Sequence, residues 1–338
     1  MQRLNRGEPM AVKTWSSAGL IVTTWCNAQC ASCYLSCRPD RREDMTVNEG
    51  LRLWRQLDEA SPHGCRIHLT GGEPFGRWDV LIDLCRRAAD ERLRPPQNVE
   101  TNAFWATGEA VVRERLIALD RAGVESFVVS ADPYHQQFVP IANARLAVRV
   151  AEDVMGSDRV RARWADWLAD GRDTGELDDA GRFELFLRYA QDGRDRMNGR
   201  AAAALGPHLA DKTVAQLADR PCREALLRNK QIHVGPGGWI VPGTCAGILV
   251  GRADERTSIA ECWQRLADDH AARPILGPLA EAGPVGLLPL AETEGFTPAD
   301  HYAGKCHLCF AIRTHLSARG LGGDELGPAA CYDTVAAT

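Results

Sequence analysis

Short apolar runs alternate with longer amphipathic stretches through the first half of the chain. Residues 18–25 (AGLIVTTW) are apolar and β-branched and predict a strand. Residues 46–60 open on Thr46, a favourable N-cap, and carry helical spacing. Further strands are predicted at 65–70, 98–102, 124–130 and 159–164, and helices at 78–94, 108–122 and 141–155. Pro95 and Pro96 stop the helix at 78–94. Strands alternating with helices of this length predict parallel β/α units, whose chemistry lies on the loops at the strand C-termini. Every unusual motif falls there: a cysteine loop from Cys26, Gly71-Gly72-Glu73-Pro74, Glu100-Thr101-Asn102, and Ser130 to His135.

After about residue 165 the pattern loosens. Residues 176–220 are rich in charge and alanine and read as helical connections. Two apolar runs flank Gly235-Pro236-Gly237-Gly238, a hairpin signal. Another helix is expected at 258–272, and 273–300 is punctuated by Pro and Gly and reads as irregular. The expected fold is α/β, a partial (β/α)6 TIM-like barrel over residues 1–215, followed by a small hairpin-and-helix domain over 216–338.

Composition narrows the function classes. The 338 residues are 45% hydrophobic and 25% charged, with a net charge of −5. A nucleic-acid binder would carry a basic face, so none is expected as partner. No apolar run reaches membrane-spanning length, and the N-terminal stretch lacks the apolar core of a signal peptide. A cytoplasmic location is expected. Twelve cysteines in a reducing compartment point to metal or catalysis rather than disulfides. They fall in two groups, with none between Cys85 and Cys222.

Cys26, Cys30 and Cys33 form C-x-x-x-C-x-x-C directly after a strand. Three thiolates can hold three irons of a cubane and leave the fourth open to an external ligand. A zinc knuckle completed by Cys37 is the competing reading. With Gly71-Gly72-Glu73-Pro74 after the second strand, the motif resembles the radical S-adenosylmethionine (radical SAM) superfamily over roughly residues 18–165. The resemblance implies a 4Fe–4S cluster whose open iron binds S-adenosylmethionine, which is cleaved to a 5′-deoxyadenosyl radical that takes a hydrogen from substrate. It also implies a flavodoxin- or ferredoxin-type electron donor. By the same resemblance Gly71, Gly72, Glu73 and Pro74 would contact the cofactor, Ser130 and Asp132 its ribose, and Asn102 and Arg163 would also face it. The residue before the third cysteine is usually aromatic. Here it is Ser32, so adenine stacking is expected to fall to Tyr34.

Cys222, Cys245, Cys306 and Cys309 supply four more thiolates. Their layout resembles the twitch module, a shortened SPASM domain, of aminocyclitol dehydrogenases and sugar epimerases, implying a second 4Fe–4S cluster. A zinc site would suit the same thiols, and Cys331 could replace one of them. Cys331 is otherwise the expected hydrogen donor to a substrate radical, with Tyr134 and His135 as further catalytic candidates.

The expected substrate is a small molecule, a sugar or aminocyclitol of an antibiotic pathway, attacked at an alcohol-bearing carbon to give epimerisation or dehydrogenation. Modification of a ribosomal peptide is the alternative. The cysteine loop begins at residue 26, with no room ahead of it for a leader-binding domain, and this favours the small molecule.

Overall fold

The computed structural model describes residues 12–192 and 196–334. The N-terminal segment read above for a signal peptide lies partly outside them. Four β/α repeats and a fifth strand come first: β1 (Ser17–Ile21), α1 (Val47–Ala60), β2 (Arg66–Thr70), α2 (Trp78–Asp90), β3 (Asn98–Thr101), α3 (Glu109–Arg121), β4 (Phe127–Ser130), α4 (Ile141–Met155) and β5 (Val160–Arg163). Then follow α5 (Ala165–Asp170), α6 (Asp179–Gln191), α7 (Arg200–Ala204), α8 (Arg223–Leu226), β6 (Gln231–Val234), β7 (Trp239–Pro242) and β8 (Gly251–Arg252). The chain closes on α9 (Ile259–Asp269), α10 (Leu276–Ala282), α11 (Leu288–Thr293) and α12 (Lys305–Ala318).

The eight strands form one sheet in the order β5-β4-β3-β2-β1-β6-β7-β8. Strands β1 to β5 are parallel, and β6 adds a sixth parallel strand on the far side of β1. This strand is the first arm of the predicted hairpin, whose second arm returns antiparallel as β7. The hairpin therefore extends the barrel sheet itself. Ile232, Val234, Ile240 and Val241 are wholly buried, as a place inside the sheet requires.

Local signals are honoured. Thr46 caps α1 through the Glu49 amide at 3.2 Å, and Ser258 and Glu261 form a capping box on α9. Residues 273–300 depart from expectation, forming α10, a 3-10 turn and α11. Pro284 and Pro289 stand at the starts of these last two turns, where no amide hydrogen is required. A main core lies between sheet and helices. A second gathers Cys26, Cys30, Cys37, Phe186, Tyr189, Ala201 and Trp239, so the segment after residue 165 packs against the cysteine loop. Among the described residues no single helix is long and apolar enough to cross a membrane.

Candidate active site

The cysteine loop leaves β1 and is stitched to the turn after β2. Val22 donates to Thr70 O at 2.9 Å, Gly72 to Thr23 O at 2.8 Å and Glu73 to Trp25 O at 2.8 Å. A side chain at Gly72 would drive its Cβ into the Trp25 and Thr24 carbonyls. The close approach that the motif predicts is thus between two loops of the protein. Donors then aim at the sulfurs: Ala28 N lies 3.4 Å from Cys26 Sγ and Cys37 N lies 3.3 Å from Cys33 Sγ. Burial pushes the Cys26 and Cys30 thiols well up. A hydrogen bond from Cys37 brings Cys33 down to about 5.

A cleft of about 380 Å³ opens at the strand C-termini. Cys26, Cys30, Cys33, Tyr34, Gly71, Gly72, Asn102, Ser130, Asp132, His135 and Arg163 all line it, so most of the predicted residues come together. Glu73 and Pro74 do not. Glu73 is fully buried, and its carboxylate accepts from Phe75 N at 3.1 Å, Thr101 Oγ1 at 2.8 Å and Asn102 N at 2.7 Å. Burial pushes it up to about 7 against those three donors. All three of these partners are internal, so Glu73 ties the β2 turn to the β3 turn. Tyr134, a catalytic candidate from the sequence, does not line the cleft: its ring packs on Phe186 and Tyr189 and its hydroxyl donates to Phe186 O at 3.1 Å.

Asp132 accepts from the Tyr134 and His135 amides at 3.0 Å and holds His135 Nδ1 at 2.7 Å. Burial alone would lower the imidazole, but the adjacent Asp132 carboxylate raises it above its ordinary value. The stability this contact contributes is full below the ordinary histidine value of about 6.5 and is lost as pH rises through the raised one. Thermal unfolding of the wild type against His135→Gln therefore shows a larger Tm gap at pH 6 than at pH 9. A gap independent of pH contradicts the assignment.

Sequence reasoning named Arg163 and the Glu100 motif but missed how they join His68 and His233 in the polar floor of the cleft. Glu100 is paired with Arg163 at 2.5 Å and accepts from Thr70 Oγ1 at 3.0 Å. His68 meets His233 edge-on with ring centroids 5.3 Å apart. Gly19 makes room for both rings; a Cβ there would sit 2.6 Å from His68 Nε2. His233 donates through Nδ1 to Gly243 O at 2.6 Å, which fixes its tautomer. Burial brings His68 down to about 4, so it is neutral.

Residues 20–154 match the family model described as the radical SAM superfamily. The chain carries a radical SAM domain. In structure the chain is similar to BtrN in complex with AdoMet and 2-DOIA, at 18% identity over 79% of this chain and 88% of that one, with a TM-score of 0.46. It is similar also to anSMEcpe with bound AdoMet, at 13% identity over 73% and 80% of the two chains and a TM-score of 0.42. A third likeness is to Streptococcus suis SuiB bound to S-adenosylmethionine, at 13% identity over 77% and 66%, with a TM-score of 0.33. No curated relative matches by sequence.

The radical SAM domain takes S-adenosylmethionine and a 4Fe–4S cluster, and the residues present fit that cluster. Arg200 is 1% exposed, yet it forms no ion pair among the described residues. Instead it donates to Cys30 O at 2.8 Å and Cys37 O at 2.9 Å. A buried guanidinium needs nearby negative charge, which thiolates on an iron cluster supply. No sequence signal marks Arg200, which lies 170 residues from Cys30.

The second cysteine set lies outside the radical SAM match. Cys222 precedes α8, Cys245 follows β7, and Cys306 and Cys309 share the first turns of α12. All four line one small cavity. Another buried arginine stands beside them: Arg313, 2% exposed, donates through Nε to Cys309 Sγ at 3.3 Å. Among the described residues, no three Cys, His, Asp or Glu side chains converge closely enough to hold a single ion. Arg196 and Thr244 line both this cavity and the active-site cleft. Cys331 lines neither. It is buried behind the first loop, where its carbonyl accepts from Ser36 Oγ at 3.3 Å. The cysteine on the cleft that is not one of the triad is Cys37.

Proposed function

We propose that this radical SAM enzyme oxidises an alcohol-bearing carbon of a sugar or aminocyclitol in an antibiotic-type biosynthetic pathway of the cytoplasm. The observation that carries the reading is the polar floor of the cleft. His68, Glu100, Arg163, Gln231 and His233 offer acceptors and donors suited to the hydroxyl and amino groups of a small polar ring. The cluster and S-adenosylmethionine, when bound and reduced by a flavodoxin- or ferredoxin-type donor, supply the hydrogen-abstracting radical. Loss of that hydrogen, then of one electron and the hydroxyl proton, converts the alcohol to a ketone. Cys222, Cys245, Cys306 and Cys309 would hold a second 4Fe–4S cluster able to accept the electron, and among the described residues only Arg196 and Thr244 line both their cavity and the cleft. Epimerisation is the second reading, and Cys37 rather than Cys331 is the thiol on the cleft that supports it.

Turnover of a panel of aminocyclitols and sugars in deuterated solvent separates the two. Oxidation yields a product lighter by two hydrogens with no deuterium at the reacting carbon. Epimerisation through an exchangeable thiol yields an isomer carrying one deuterium. No turnover of any such ring, with activity on a ribosomal peptide, contradicts the substrate assignment. Anaerobic reconstitution checks the second centre: two cubanes bind about eight irons per chain, whereas about four irons with one zinc would sink it.

A further inference from the structure

Arg200 and Arg313 are both buried, both lack a carboxylate partner among the described residues, and each stands against one cysteine set. They are also joined. Arg313 Nη2 donates to Asn198 Oδ1 at 3.2 Å, and Asn198 Nδ2 donates to Thr244 O at 2.9 Å, beside Cys245. Two residues along the backbone, Arg200 reaches the first loop with its guanidinium and also with its amide, which donates to Cys33 O at 3.0 Å. Between them Gly199 has φ of +59°, and a Cβ there would lie 2.5 Å from Tyr34 O and 2.7 Å from Cys33 O. The segment is thus pressed onto the cysteine loop at a place that only glycine fits without strain.

We propose that Asn198, Gly199 and Arg200 form a bridge between the two cysteine centres, through which filling the second centre holds the first loop in its cluster-binding shape. Arg200 and Arg313 are positioning residues and counter-charges, and neither needs to touch substrate. The direction of coupling follows from charge. Thiolates gathered at the second set fix Arg313, Arg313 fixes Asn198, and the chain then holds Arg200 against the Cys30 and Cys37 carbonyls. With the second set empty, Arg313 lacks its anionic partner and the far end of the bridge loosens. The coupling rests on reading Cys222, Cys245, Cys306 and Cys309 as ligands of a second centre. The role of Arg200 rests on the radical SAM cluster alone.

The test uses full-length protein reconstituted anaerobically with iron and sulfide, and follows release of first-site iron to a ferrous chelator. Cys306→Ala with Cys309→Ala speeds that release about fivefold, the size of a typical side-chain coupling. Asn198→Ala speeds it by a similar factor although it keeps every cysteine. The triple variant is no faster than either parent, because both changes cut one linkage. Asn198→Ala releasing iron at the wild-type rate, or effects that multiply in the triple variant, overturns the bridge. A second arm tests Arg200: Arg200→Lys retains first-site iron, whereas Arg200→Met loses it. Equal retention in both overturns the counter-charge role. A wild-type count of about four irons with no second metal removes the second centre, and with it the bridge, but leaves the Arg200 arm standing.

Discussion

Cys30→Ala abolishes S-adenosylmethionine cleavage and, with the proposed second cluster loaded, lowers the iron content from about eight to about four per chain. The size of the effect follows from the ligand count. Three thiolates hold three irons and leave one open, so two thiolates cannot retain the same open cubane. Cys30 is the strongest choice of the three because it is buried, its carbonyl accepts from Arg200 at 2.8 Å, and its thiol is pushed well up in the protein alone. Metal binding must displace the proton of that thiol. Iron at the proposed second centre is expected to survive, because its cavity shares no cysteine with the cleft. Iron quantification and 5′-deoxyadenosine assay read the two parts separately. Loss of all iron would mean that the two centres do not load as distinct sites.

Gly72→Ala comes second in size. Its added methyl meets backbone, the Trp25 and Thr24 carbonyls, and backbone cannot rotate away as a side-chain end can. The Gly72 amide also carries the 2.8 Å bond to Thr23 O that sets the loop spacing. The loops must part, at a cost of about 3 kcal/mol, the upper range for overpacking. S-adenosylmethionine binding is expected to be lost together with a drop in Tm. An unchanged Tm with normal binding would show that the two loops are not in van der Waals contact. By contrast, Glu73→Gln is expected to act on stability rather than on cofactor contact, because the Glu73 carboxylate is enclosed among Phe75, Thr101 and Asn102.

Much of the barrel was legible because its signals are local. The Thr46 cap, the prolines after α2 and the apolar run before Cys26 each act within a few residues, and five strands and four helices follow from them. The cysteine spacing and the Gly71-Gly72 pair were legible for the same reason. What escaped is what depends on distant chain. The parallel pairing of β6 with β1 joins residues more than 200 apart, and nothing in the hairpin sequence names its partner. His233 enters the cleft only through that pairing. Arg200 reads as one more charge in an alanine-rich stretch until its carbonyl partners are seen. Tyr134 and His135 are neighbours on one loop, yet the turn held by Asp132 sends one ring into the core and the other to the cleft. Cys331 is the hydrogen donor the sequence suggests, yet folding places it behind the loop and off the cleft.

The most direct measurement is anaerobic reconstitution followed by reduction with dithionite in the presence of S-adenosylmethionine. The account predicts 5′-deoxyadenosine and methionine in equal amounts from the wild type, and none from Cys26→Ala, Cys30→Ala or Cys33→Ala. A wild type that holds its iron cluster but releases no 5′-deoxyadenosine would contradict the central claim that Cys26, Cys30 and Cys33 leave one iron open for the cofactor.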